Sequence, residues 1–200
     1  MKIYLIRHGM TPGNALRRYI GRTDEPLSEE GVRLARASGG SSALERVYVT
    51  PLLRTQQTAA ILFPNAQQIV VDDLREMDFG IFENRSAAEM ENDAAYRAWV
   101  EADCMPACPE GESTPGFSER VCSAFAPLIL SLREQDAEQA VFVVHGGTVM
   151  SVLQKFARPE MGFYDCLMKN CEGISCVLSD ASDGLPFTLT DVTRMEKIEL

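Results

Sequence analysis

Histidine is scarce in this chain: two residues in 200, His8 and His145, beside a single tryptophan. So few imidazoles make a zinc site hard to assemble, and the cysteines do not help. Cys104, Cys108, Cys122, Cys166, Cys171 and Cys176 contain no C-x-x-C pair, and they are expected to be reduced packing residues. Positive charge is also short. Nineteen Lys and Arg against 29 Asp and Glu leave a formal charge of −10, which argues against nucleic acid or an anionic membrane as partner, because Lys and Arg dominate such contacts. No apolar run approaches the roughly 20 residues that span a bilayer. The amino terminus shows no basic, apolar and small-residue sequence typical of a secretory signal, so a soluble cytoplasmic protein is expected. Several reactive motifs are missing too. No cysteine has an arginine six residues downstream, and there is no G-x-x-x-x-G-K-[ST], no G-x-S-x-G and no G-x-G-x-x-G.

What is present suits one globular domain over residues 1–200, with 46% hydrophobic and 24% charged residues and enough length to bury a core without disulfides or metals. Short apolar runs at 3–6, 47–49, 69–71, 141–144, 174–178 and 187–192 alternate with helical patterns. That alternation predicts a three-layer α/β fold, a mostly parallel sheet flanked by helices. Ser28 followed by Glu29 and Glu30 starts one helix and Gly39-Gly40 stops it; Arg54–Leu62 is another, stopped by Pro64. From about residue 81 to 116 the rhythm breaks. There Ser86-Ala87-Ala88-Glu89 reads as a capping box opening a helix through Trp99, and the whole excursion reads as a helical lid beside the sheet edge. Thr114-Pro115 predicts the N-cap and first position of a helix whose core face is Phe117, Val121 and Phe125, and Pro127 predicts a kink or split in it.

The two histidines occupy equivalent places. Ile3-Tyr4-Leu5-Ile6 delivers Arg7-His8-Gly9-Met10-Thr11, and Val141-Phe142-Val143-Val144 delivers His145-Gly146-Gly147-Thr148. Each histidine follows a predicted buried strand and precedes a glycine, at the carboxyl edge where open α/β sheets place ligands. Arg17, Arg18 and Arg22 lie close behind the first motif. Such a local cluster can hold a small anion on an acidic protein, since screening acts over roughly 8 Å, although Arg17 and Arg22 themselves read as a solvated face rather than as ligands.

Taken in order, Arg7-His8-Gly9 with Thr11, Arg54 in Thr50-Pro51-Leu52-Leu53-Arg54-Thr55, Glu76 in Leu74-Arg75-Glu76-Met77-Asp78-Phe79-Gly80, and His145-Gly146-Gly147 resemble the histidine phosphatase superfamily, with its phosphoglycerate mutase-like fold. Asn14, Arg18 and Gly21, Leu27 and Gly31, and Gly111-Glu112-Ser113 ahead of Arg120-Val121 add to the resemblance, which runs from residue 1 to about residue 160.

The resemblance implies a metal-independent, cofactor-free reaction through His8. An unprotonated imidazole nitrogen attacks phosphorus in line and forms a phosphohistidine. Arg7 and Arg54 are expected to fork onto the nonbridging oxygens, His145 to add a cationic donor, and the Gly146 and Gly147 amides to favour the anion at a helix start. Gly9 is expected to orient His8 through its carbonyl. Thr11, Asn14, Arg18, Gly21 and Gly146 are the implied phosphate or substrate contacts, with a turn and cap role the lesser reading of Thr11 and Asn14. Glu76 is implied as the acid that protonates the leaving group, its pKa raised by Asp72, Asp73 and Asp78; Asp78 and Glu83 are the rival acids.

A small phosphorylated metabolite is the implied substrate. Between 81 and 116 the only cations are Arg85 and Arg97, which holds a second phosphate poorly and favours hydrolysis over mutase transfer. A non-catalytic phosphate-binding module is the remaining alternative. Phe79–Glu83 and the Gly111-Glu112-Ser113 loop look like the alpha-ribazole phosphatase branch, which serves cobalamin assembly, and also like broad-specificity phosphatases. Trp99, Tyr96 and Phe82 in the excursion suit a neutral or stackable leaving group.

Overall fold

The computed structural model describes Met1–Leu200. Strand β1 (Lys2–Arg7) leads through the single-turn helix α1 (Pro12–Ala15) to α2 (Glu29–Ala37). Strand β2 (Arg46–Val49), α3 (Leu53–Leu62) and β3 (Gln67–Val70) follow. After the excursion, which carries α4 (Ala94–Glu101), come α5 (Thr114–Glu134), β4 (Gln139–Val144), α6 (Gly146–Phe156), β5 (Gly173–Ser179) and β6 (Thr188–Met195). The six strands form one sheet in the order β3-β2-β4-β1-β5-β6. Its first four members are parallel, while β5 runs antiparallel to β1 and to β6. The sheet is therefore mixed, and its parallel part lies where βαβ crossovers were predicted.

Both faces of β1 and β4 are covered, which explains why these strands read as unbroken apolar runs. Alternate residues diverge as the pleat requires. Ile3, Leu5, Phe142 and Val144 enter the larger core with Phe117, Val121, Phe125 and Ile129 of α5 and Val149 of α6. Tyr4, Ile6, Val141 and Val143 face the other way, into a smaller core with Val47, Val49, Ala59 and Leu62. The pairing aligns Arg7 with Val144, so His8 and His145 leave neighbouring central strands at the same level.

Ser28 caps α2 by accepting from the Gly31 N–H, and the chain leaves that helix through Gly39 and Gly40, both at positive φ. Three expectations need correction. The Ser86–Glu89 capping box forms, with Ser86 N–H donating to Glu89 and Glu89 N–H to Ser86. It closes only a 3₁₀ turn, Ala88–Met90, because Asp93 offers a second cap, accepting from the Ala95 and Tyr96 amides, and restarts the chain as α4. Ser113, not Thr114, caps α5. Pro127 does not split α5, which runs through it unbroken. Its ring sits on the exposed face, where water can take the carbonyl it leaves unbonded. No helix is long and apolar enough to cross a membrane, and all six cysteines are free thiols.

Candidate active site

The carboxyl edge of β1 and β4 gathers the residues that chemistry would need. His8 is 4% exposed and fixed on all sides. Its amide donates to the Val144 carbonyl, its carbonyl accepts from Asn170 Nδ2, and its Nδ1 lies 2.7 Å from the Gly9 carbonyl. A carbonyl can only accept, so Nδ1 is assigned the proton and Nε2 keeps its lone pair. Gly9 is held in turn by Thr58, whose hydroxyl accepts from the Gly9 amide at 2.8 Å and donates to the Arg54 carbonyl at 2.6 Å. Burial, with Arg54 and then Arg7 adding to it, holds the His8 imidazole well below the ordinary histidine pKa.

His145 is fully buried, its ring 5.2 Å from that of His8 and steeply inclined to it. Its Nε2 lies 2.9 Å from Thr50 Oγ1, within a pair of threonine hydroxyls, Thr50 and Thr55. Burial first, then Arg54, His8 and Arg7, hold the His145 pKa well below the usual value, which opposes the cationic form expected there. A bound anion acts in the opposite sense on both rings.

The arginines are tethered rather than free forks. Arg54, completely buried, donates from Nη1 to the Thr23 carbonyl at 2.8 Å and from Nη2 to the Gly21 carbonyl at 2.7 Å. Arg7 Nη1 donates to the Met168 carbonyl. Burial lowers both guanidinium pKa values and Glu76 opposes it, yet arginine remains charged at any working pH. Four buried side-chain polar atoms lack a protein partner, and three of them are Arg7 Nε, Arg54 Nε and His145 Nδ1. The two arginine nitrogens are donors, and buried donors without partners are costly, so their presence in one cluster points to a ligand rich in acceptors.

Glu76 stands across from the histidines. Its carboxylate accepts from the Met77 and Gly147 amides, each at 3.0 Å. Those bonds and the nearby Arg54 and Arg7 favour the anion, but burial outweighs them and raises the pKa. The cause predicted from sequence is thus corrected. Asp72 and Asp73 pair with Arg75, and Asp78 turns to Arg22 and the Gly80 amide. Glu83, the other rival acid, accepts from the Gly21, Arg22, Thr23 and Phe79 amides and the Thr23 hydroxyl. The Gly147 amide, expected to face an anion, is spent on Glu76.

Other expected contacts divide. Thr11 and Asn14 form the capping box of α1, and Asn14 Oδ1 also accepts from Asn170, which binds the His8 carbonyl. Gly146 opens α6 beside Arg7: a Cβ there would lie 3.5 Å from Arg7 Nε. Gly21 supplies a carbonyl to Arg54 and admits no side chain, since a Cβ would fall 1.8 Å from the Met77 carbonyl. Arg18 is not drawn in. Its guanidinium pairs with Glu89 at 2.8 Å and donates to Asn84, tying the excursion to the 14–23 loop.

Above Arg7, Glu76, Gly146 and Gly147 opens a cleft of about 430 Å³. Tyr19, Phe79, Trp99 and Phe117 line it on one side, and Phe163, Tyr164, Leu167 and Met168 on the other. Of the three excursion aromatics named from sequence only Trp99 reaches it, because Phe82 and Tyr96 are packed behind in the core. Sequence reading missed the second wall entirely; residues 157–172 carry no periodicity that would mark it.

The arrangement is one suited to a tetrahedral oxyanion: two buried imidazoles of lowered pKa, two guanidinium groups and a buried carboxyl of raised pKa. The family model described as histidine phosphatase superfamily (branch 1) matches residues 3–182, and the chain belongs to that family, whose members include phosphatases and mutases. A protein of Enterobacter sp. (strain 638) bearing the name "Probable phosphoglycerate mutase GpmB" is 33% identical over 153 residues, 73% of this chain and 70% of its own length. The crystal structure of the alpha-ribazole phosphatase from Shigella flexneri superposes with a TM-score of 0.79 at 24% identity, covering 100% of this chain and 99% of that one. A phosphoglycerate mutase from Thermus thermophilus gives 0.68 at 27% identity, with 98% of each chain covered.

Proposed function

We propose that the protein hydrolyses phosphomonoesters of a small metabolite through a phosphohistidine on His8. The observation that carries this reading is the buried His8 imidazole, its Nδ1 turned to the Gly9 carbonyl so that Nε2 keeps its lone pair, in one cluster with His145, the unpartnered nitrogens of Arg7 and Arg54 and a buried carboxyl of raised pKa. In the first half-reaction the Nε2–P bond forms as the P–O ester bond breaks, and Glu76 passes its proton to the departing oxygen. In the second, water attacks phosphorus, the N–P bond breaks, and the Glu76 carboxylate takes the proton of that water, which restores both groups. No metal or cofactor enters either step.

Hydrolysis is favoured over mutase transfer by the cleft. Arg7 is the one Lys or Arg side chain lining it, so a substrate with a second phosphate has nothing to neutralise it, whereas an uncharged, stackable leaving group meets Tyr19, Phe79 and Trp99. An alpha-ribazole-type phosphate meets that description. Phosphate release from a panel of monoesters with chelator present tests the reading, together with a quench that traps alkali-stable, acid-labile phosphate on the protein. Trapped phosphate lost in His8→Ala supports it. Equal turnover by folded His8→Ala, or transfer between positions of 3-phosphoglycerate faster than release, overturns it.

A further inference from the structure

We propose that the ion pair between Glu112 and Arg120 is a positioning device for Glu76, setting the point at which the leaving oxygen meets its proton; this rests on the reading of Glu76 as proton donor given above. Glu76 lies in an irregular stretch between the 3₁₀ turns Asp72–Leu74 and Gly80–Phe82, so no strand or helix of its own fixes it. The stretch is clasped from outside. Arg120 Nη1 donates to the Asp73 carbonyl at 2.8 Å and the Arg75 carbonyl at 3.2 Å, and Nη2 to the Glu76 carbonyl at 3.3 Å. The same guanidinium grips both Glu112 oxygens along one edge, Nε and Nη2 each at 2.7 Å. Glu112 Oε2 then accepts from the Asp78 amide at 3.0 Å, while the Glu112 amide donates to the Asp78 carbonyl at 2.8 Å.

One planar pair therefore holds the chain on both sides of Glu76, and it is seated on Phe117, a cleft wall residue, 5.3 Å from the guanidinium carbon. Neither Glu112 nor Arg120 lines the cleft. They act through Glu76 and touch no reacting atom. Lysine keeps the charge but cannot reproduce the fork that reaches three carbonyls and two carboxylate oxygens at once.

Leaving-group chemistry separates positioning from mere support. An alkoxide leaves poorly without a proton; a 4-nitrophenolate leaves well without one. Arg120→Lys is expected to lower kcat/KM for a primary alkyl monophosphate by about 100-fold, and for 4-nitrophenyl phosphate by no more than about threefold, because a displacement near 1 Å costs that much only where the acid is needed. Glu112→Gln, which keeps one oxygen for the fork, is expected to show the same selectivity in weaker form and covers the case that Arg120→Lys does not fold. Equal losses on both substrates in the folded variants overturn the proposal. Glu76→Gln is the control. A selective loss there beside uniform losses in the other two refutes positioning alone, whereas a uniform loss in Glu76→Gln removes the acid itself and the proposal with it.

Discussion

Replacing Gly147 by alanine gives the sharpest test of how the cleft floor is built. Gly147 is the second residue of α6, and its amide holds Glu76 Oε2 at 3.0 Å. A Cβ there would stand 2.4 Å from Glu76 Oε1 and 3.0 Å from Phe117 Cε1, where ordinary contact needs about 3.5 Å. The phenyl ring is packed in the core, so the carboxyl must give way, by about 1 Å. That movement breaks a hydrogen bond to a buried carboxyl, costing about 1–3 kcal/mol. Alanine in place of glycine within a helix returns about 0.5–1 kcal/mol, so net stability falls by no more than about 2.5 kcal/mol and the fold survives. Activity does not escape so lightly, since a general acid displaced by about 1 Å loses on the order of 100-fold in rate. Steady-state kcat/KM on an alkyl monophosphate, with thermal unfolding run in parallel, measures both. A Gly147→Ala protein that unfolds within a few degrees of the parent yet turns over at more than a third of its rate refutes the assignment of Glu76.

The remaining predictions concern charge and backbone. Because the Glu76 pKa is raised by burial, its proton is present below that value, and kcat/KM should fall as pH rises through it. In Glu76→Gln that alkaline limb should vanish from the pH–rate profile. The same shift destabilises the fold where the carboxyl would ionise in the unfolded chain, so Glu76→Gln should unfold at higher temperature than the parent at pH 8 and at the same temperature at pH 4. His8 and His145 are held below their ordinary pKa; stability should therefore decline as pH drops below about 6.5, where the unfolded histidines bind protons the folded ones refuse. A His8→Gln, His145→Gln double variant should flatten that decline, read from urea midpoints. Thr50→Val removes the hydroxyl at His145 Nε2 and should lower kcat by a larger factor than it raises KM, checked by steady-state kinetics. Pro127→Ala restores a backbone donor on the exposed face of α5 and should stabilise by about 1–3 kcal/mol with activity unchanged, checked by denaturant midpoint.

The parts of the site visible in the sequence are those carried by strand ends. Arg7-His8 and His145 sit at the ends of apolar runs whose pattern is read directly, and Arg54 opens a helix with a clear stop at Pro64. Glu76 is different. It lies on backbone without periodicity, and its raised pKa comes from burial by residues remote in sequence, not from the aspartates beside it. The second cleft wall, Phe163–Met168, is hidden for the same reason: its turn is held by tertiary contact, with no local signal. The excursion misled in a third way. A genuine capping box formed at Ser86, but Asp93 a few residues on competed for the helix start and won, because two amides at Ala95 and Tyr96 were satisfied there.

The alignment of Arg7 with Val144 ties the site to a pairing between distant parts of the chain. One histidine belongs to the first strand of the chain and the other to the fourth, and only their lateral pairing brings the rings together. Surface loops between them can vary in length without moving either ring, provided that pairing and the Thr58 and Thr50 contacts hold. A slip of one residue, by contrast, would turn His145 to the opposite side of the sheet and leave His8 alone among arginines. A chain still emerging from its synthesis, with β4 unmade, has no second ring to offer, so the site is complete only once residues 139–145 have joined β1.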